Sequence, residues 1–144
     1  MNWERMPYRM TDDPSAVDLD VVHRFLAASY WSPGIPKDTV ARGIAHSLPF
    51  SVFLGDRQVG FARAVTDRAT FGYLADVFVA EDHRGLGLGA WLVETVLGHP
   101  ELQGLRRWLL ATHDAHALYR RFGFTAVADV SRLMTRHDPD VYTR

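Results

Sequence analysis

The residues best suited to chemistry are the glycines Gly85, Gly87 and Gly89, which follow Arg84 and lie where a strand-like run gives way to an amphipathic one. Glycine lets the backbone turn tightly with its N–H groups pointing outward, and the free donors at a helix N-terminus favour an anion. A phosphate or pyrophosphate suits such a loop. Arg84 at its entrance either adds charge-assisted contacts or stands solvated. Taken alone, the same glycines are also compatible with a connection needed only for close packing.

Several phosphate binders share these parts. The Walker pattern ends in Gly-Lys-Ser/Thr, which does not occur, so a nucleoside triphosphatase is disfavoured. Gly85-x-Gly87-x-x-Ala90 formally satisfies the dinucleotide fingerprint with alanine last, which keeps a nicotinamide-dependent oxidoreductase among the alternatives. Its context differs, because antiparallel-looking strands precede it and Ala80-Glu81-Asp82-His83 separates strand from turn. His113-x-x-His116 spaces two imidazoles three apart with no third ligand apparent, so no metal is expected.

The elements that must carry this loop follow from periodicity. Val17, Val21, Val22, Phe25, Leu26 and Ser29 recur at helical spacing and predict a helix from about Val17 to Ser29, with Pro14, Ser15 and Asp18 suited to its start. The segment Tyr30-Trp31-Ser32-Pro33-Gly34-Ile35-Pro36 breaks it, and a short helix from Lys37 to Ser47 follows. From Pro49 the period becomes two. Ser51–Leu54 and Gln58–Val65 form a hairpin around Gly55-Asp56-Arg57, and Phe71–Val79 adds a third strand after the turn Asp67-Arg68-Ala69. Leu88, Leu92, Val93, Val96 and Leu97 share one face of a helix ended by Gly98-His99-Pro100. Arg106–Thr112 reads as a strand, Asp114–Arg121 as a helix capped by Asp114, and Phe124–Met134 as one or two closing strands. The order is that of an α+β domain with one crossover that can be parallel.

Composition narrows the class. The 144 residues are 47% apolar and 23% charged, as in one ordinary globular domain spanning 1–144. A net charge of −1 with interspersed signs gives no surface for nucleic acid or an anionic membrane. The absence of cysteine excludes disulfides, thiolate metal sites and a cysteine nucleophile. Neither a signal-peptide core nor a membrane-length apolar run is present, and the expected location is the cytoplasm.

Arg84-x-x-Gly87-x-Gly89, after Asp76-Val77-Phe78-Val79, resembles the coenzyme A signature of the GNAT family of N-acetyltransferases, which runs Gln or Arg, two residues, Gly, one residue, Gly or Ala. Ala115-His116-Ala117-Leu118-Tyr119-Arg120-Arg121-Phe122-Gly123-Phe124 resembles the family's Ala-x-x-Leu-Tyr-x-x-x-Gly-Phe segment. The order of elements is similar from the first helix to the last strand.

The resemblance implies a GNAT-like fold, with a mostly antiparallel mixed sheet flanked by about four helices and strands splayed at the acyl-CoA site. It implies an acetyl-CoA-dependent N-acyltransferase acting on an amine of a small molecule or peptide, with homodimers frequent. The pantetheine arm would pair with Val77, Phe78 and Val79, and the pyrophosphate would sit on the N–H groups of Arg84, Gly85, Leu86, Gly87, Leu88, Gly89 and Ala90. Tyr119 takes the place of the family's proton donor to the departing thiolate, the alternative being simple packing with Leu118 and Phe122. Thr112 stands where many relatives carry a cofactor-contacting asparagine. The attacking amine must lose a proton, and Asp76 is the first choice for base or water-chain anchor, His83 the second. Tyr30 and Trp31 fall in the loop that governs the acceptor, where they line its pocket or cap the core. A coenzyme A-binding sensor without transfer activity, or a purely structural domain, would share many of these features.

Overall fold

The computed structural model describes residues 1–144. Its centre is a six-stranded sheet in sequence order, β1 (Asn2–Arg5), β2 (Tyr8–Thr11), β3 (Leu48–Leu54), β4 (Arg57–Thr66), β5 (Phe71–Val79) and β6 (Arg107–Leu109). All neighbours are antiparallel except β5 and β6, which are parallel. Helices α1 (Leu19–Ala27) and α2 (Lys37–Ala45) come between β2 and β3, α3 (Leu88–Gly98) makes the crossover from β5 to β6, and α4 (His116–Arg120) follows β6.

The two faces of the sheet bury separate cores. On one, α3 contributes Leu88, Trp91, Leu92, Val93 and Val96 to a cluster with Phe50, Val52, Leu74 and Tyr119. On the other, Val22 and Leu26 of α1 and Val40 and Ile44 of α2 pack on Phe61 and Phe78. Asp18 caps α1 by accepting from the Val21 N–H at 3.2 Å, which starts the helix at Leu19 and leaves Pro14–Ala16 as a separate 3-10 turn. No helix is long and apolar enough to cross a membrane.

Three expectations about elements need correction. The hairpin β1–β2 was not legible, since its strands have four residues each and β1 is largely exposed. The segment Phe124–Met134 forms no strand. Asp129 accepts from the Ser131 N–H at 3.1 Å and tightens the chain into a 3-10 turn at Val130–Arg132, leaving Val127, Leu133 and Met134 exposed. Asp114 does not cap α4. The N-cap position falls on Ala115, which has no side-chain capping bond, and the Thr112 hydroxyl accepts from the Ala115 N–H at 3.1 Å just before the helix.

Two local features of β5 shape the far end of the sheet. Phe61 pairs with Phe78 but Arg63 pairs with Ala75, so Asp76 and Val77 together oppose Ala62 and form a β-bulge. Asp76 has φ 56°, in the left-handed region that costs a non-glycine residue about 1–3 kcal/mol, least for Asp and Asn. The bulge reverses side-chain alternation. Leu74 faces α3, whereas Phe78, an even number of residues further on, faces α1 and α2.

The candidate acyl-transfer cleft

Strand β5 pairs with β4 along most of its length but with β6 only at Phe71–Tyr73, opposite Arg107–Leu109. Beyond Tyr73 the two parallel strands part, and the β6 edge of Leu74–Val79 has no strand beside it. This explains why β6 ends at Leu109, short of the expected Thr112: past the split there is no backbone to pair with. Val77 and Val79 on the open stretch pack toward the α3 core, while Phe78 points the other way.

At the open end the chain makes a 3-10 turn at Glu81–His83 and enters the glycine loop. The Arg84 N–H donates to the Glu81 carbonyl at 3.3 Å, and the Trp91 N–H closes the first helical turn on the Gly87 carbonyl at 3.0 Å. Between them, the N–H groups from Gly85 to Ala90 donate to nothing in the chain. Gly85 and Gly87 lie at φ 79° and 81°, conformations that favour glycine, and a Cβ built on either meets no atom within 4 Å. The loop is therefore a cradle of free donors at the positive end of the α3 dipole, open on the side where an anion would rest. Arg84 turns its Nε back onto the Val79 carbonyl at 3.0 Å, bracing the loop against the end of β5.

Tyr119 of α4 is 8% exposed. Its hydroxyl has no hydrogen-bond partner, yet the only buried side-chain polar atom left unpaired is Ser51 Oγ, so the phenol oxygen reaches open space. Burial, then the neighbouring Tyr30 and Asp114, push its pKa above the ordinary tyrosine value and keep it protonated. Thr112 lies just before α4, its hydroxyl accepting from the Ala115 N–H.

The Tyr30–Trp31 loop touches groups on both sides of the split. The Trp31 indole N–H donates to Asp76 Oδ1 at 3.0 Å, and the His113 backbone N–H donates to the Tyr30 hydroxyl at 3.2 Å. Asp76 is also gripped from β4, its Oδ2 accepting from Arg63 Nε at 2.6 Å. His83 is buried against Tyr8 of β2, with Nδ1 2.9 Å from the phenol oxygen. Sequence reasoning did not find Arg63 or Tyr8; each reaches its partner across a register set only by the folded sheet.

An open sheet split at one parallel pair, with a donor cradle at the mouth of the split, suits an extended ligand with an anionic end. The sequence profile of the acetyltransferase (GNAT) family matches residues 13–124, and the chain belongs to that family. A Xanthomonas campestris protein of the GNAT family, known from its crystal structure, is similar over 98% of this chain and all of its own, with 45% identity and a TM-score of 0.93. A Gibberella zeae protein named as a candidate acetyltransferase is 29% identical over 82% of this chain and 78% of its own length. A Clostridium acetobutylicum structure described as an acetyltransferase with acetyl-CoA shares the fold at 12% identity, with a TM-score of 0.64 over 94% of this chain and 100% of that one. The protein is an acetyltransferase of the N-acetyltransferase class, and its family acts on amines.

Proposed function

We propose that the protein moves an acetyl group from acetyl-CoA to an amine of a small molecule or peptide by direct attack. The observation that carries this reading is the run of unpaired N–H groups from Gly85 to Ala90, set at the end of the open edge of β5. Those donors suit the pyrophosphate, and Arg84, whose own N–H is taken within the turn, contributes charge at the rim. The edge of Val77, Phe78 and Val79 offers backbone groups to the pantetheine amides as an added strand would. Thr112 retains a hydroxyl proton that can be donated to the same ligand.

In the transfer, the amine nitrogen bonds to the acetyl carbon as the carbon–sulfur bond breaks. The sulfur takes a proton from the Tyr119 hydroxyl, and the ammonium formed on the acceptor loses one to solvent or to a carboxylate at the mouth. Tyr119 suits its part because a phenol held protonated can donate throughout the neutral range. Tyr30 and Trp31 line the acceptor side.

A thermal melt with excess acetyl-CoA, compared with excess NAD, tests binding, and thiol release on adding amines tests transfer. A ligand at 100 times its dissociation constant stabilises by about 2.7 kcal/mol, a rise of roughly 5–11 °C for a domain of this size. A rise with NAD alone, or with neither, overturns the reading. Binding of acetyl-CoA without thiol release to any amine favours a sensor.

A further inference from the structure

We propose that Asp76 is a positioning residue, fixing Trp31 beside Tyr30 as an aromatic wall that selects an amine carried on a flat aromatic body. This rests on the acyl-transfer reading of the same cleft.

Both oxygens of Asp76 are already engaged by protein donors, Oδ2 by Arg63 Nε at 2.6 Å and Oδ1 by Trp31 Nε1 at 3.0 Å. The pair is mostly withdrawn from water, with side-chain exposure of 11% for Asp76 and 23% for Arg63. Arg63 is held in turn: its NH1 lies 3.5 Å from Ser47 Oγ, and its guanidinium packs where α2 carries Gly43 instead of a larger residue. Taking a proton from an amine would cancel the charge that both partners engage, weakening the two bonds together. The left-handed backbone of Asp76 aims the carboxylate, so strand, bulge and ion pair converge on one exposed indole.

Exposed aromatics usually move, but these are tied. Trp31 is 40% exposed and Tyr30 54%, yet one is anchored to Asp76 and the other to the His113 backbone. They belong to a continuous chain of rings. Phe78 stacks on Phe25 at 3.9 Å, Phe25 meets Trp31 at 6.2 Å, Trp31 meets Tyr30 at 5.0 Å, and Tyr30 meets His113 at 4.4 Å between centroids. The Asp76 charge is offset by Arg63, and that of Asp82 by Arg57. The exposed rings of Tyr30 and Trp31 favour a planar body with one ammonium over a polycation.

The test uses the intact protein, acetyl-CoA and three amines, 2-phenylethylamine, tryptamine and spermidine, followed by thiol release. We expect kcat/KM for the aryl amines at least about ten-fold above spermidine. Asp76→Ala and Trp31→Phe should each raise KM for the aryl amines several-fold more than they lower kcat. They should leave the acidic limb of the kcat profile in place, and their combined effect should be less than the product of the two, as expected of coupled residues. Asp76→Asn keeps an acceptor for the indole and should restore part of the loss. Isothermal titration with acetyl-CoA reports folding of each variant, and exposed Trp31 keeps the test decisive if Asp76→Ala misfolds. An Asp76→Asn enzyme with kcat lost toward every amine and no acidic limb would identify a base and overturn the inference. Equal use of spermidine, or no selective KM change in Trp31→Phe, would overturn it while acyl transfer stands; absence of acetyl-CoA binding by the unaltered protein would overturn both.

Discussion

Gly72 of β5 and Trp108 of β6 face each other at the closed end of the split, and the indole lies where a side chain on Gly72 would be: a Cβ there would stand 2.7 Å from two ring carbons. The parallel pair extends over Phe71–Tyr73 only, so this contact sits at the centre of the short stretch that holds the two strands together. Gly72→Ala should therefore displace a ring rather than fill a space. The expected cost is about 1–3 kcal/mol, a midpoint lower by roughly 2–12 °C, with acetyl-CoA affinity also weakened as the edge of β5 shifts. Thermal melts with and without the ligand read both effects.

Gly87→Asp places a carboxylate on a residue at φ 81° whose side chain would enter the cradle itself. Like-charge repulsion with the pyrophosphate should abolish binding, while Gly87→Ala, which carries only the backbone strain, should weaken it by a smaller factor. Titration calorimetry of the two variants separates charge from conformation; equal affinity in both and in the unaltered protein would remove the loop from the cofactor site.

Tyr119→Phe keeps the buried ring and removes the hydroxyl, so acetyl-CoA binding should persist while kcat with an accepted amine falls by about 10²-fold or more. Because burial raises the phenol pKa, ionisation of the unaltered residue should begin only above the usual tyrosine range. The stabilisation linked to the raised value is complete below the unfolded pKa near ~10 and is lost as pH rises through the folded value. Ultraviolet difference titration, with Tyr119→Phe as the blank, would show the displaced transition; unchanged turnover in that variant would assign the proton to another donor.

Asp67 turns the β4–β5 hairpin by accepting from the Thr70 hydroxyl and from the N–H groups of Thr70, Ala69 and Phe71. Those bonds, the Thr70 hydroxyl first, hold its carboxyl far below the usual carboxylate range. A depressed folded pKa contributes stability that is present above the unfolded value near ~3.9 and disappears as pH falls through the folded one. Urea midpoints measured from pH 6 to pH 2 should drop less steeply in Asp67→Ala than in the unaltered protein.

Periodicity made the interior legible. The α1, α2 and α3 patterns, the meander and the strand before the glycines all appear within a few residues of their expected limits, because each buries one face against the sheet. The outermost pieces were less so: β1–β2 is too short for a period to show, and Phe124–Met134 alternates like a strand but is claimed by the local bond from Ser131 to Asp129. At the site, the glycine cradle could be read because its chemistry lies in consecutive residues. The grip of Arg63 on Asp76 could not, since it depends on a bulge that appears only when β4 is laid against β5.

That bulge makes β5 a strand with two reading frames. Up to Ala75 its even positions belong to the α3 side, and after the extra residue they belong to the α1 side. Loss of a single residue near Asp76 would thus act as a frameshift in space, sending Phe78 toward α3 and turning Val77 and Val79 toward the helices that now cover Phe78. Substitutions in this stretch alter one contact at a time, whereas a deletion would exchange the linings of two cores together, so the length of β5 is under tighter constraint than most of its side chains.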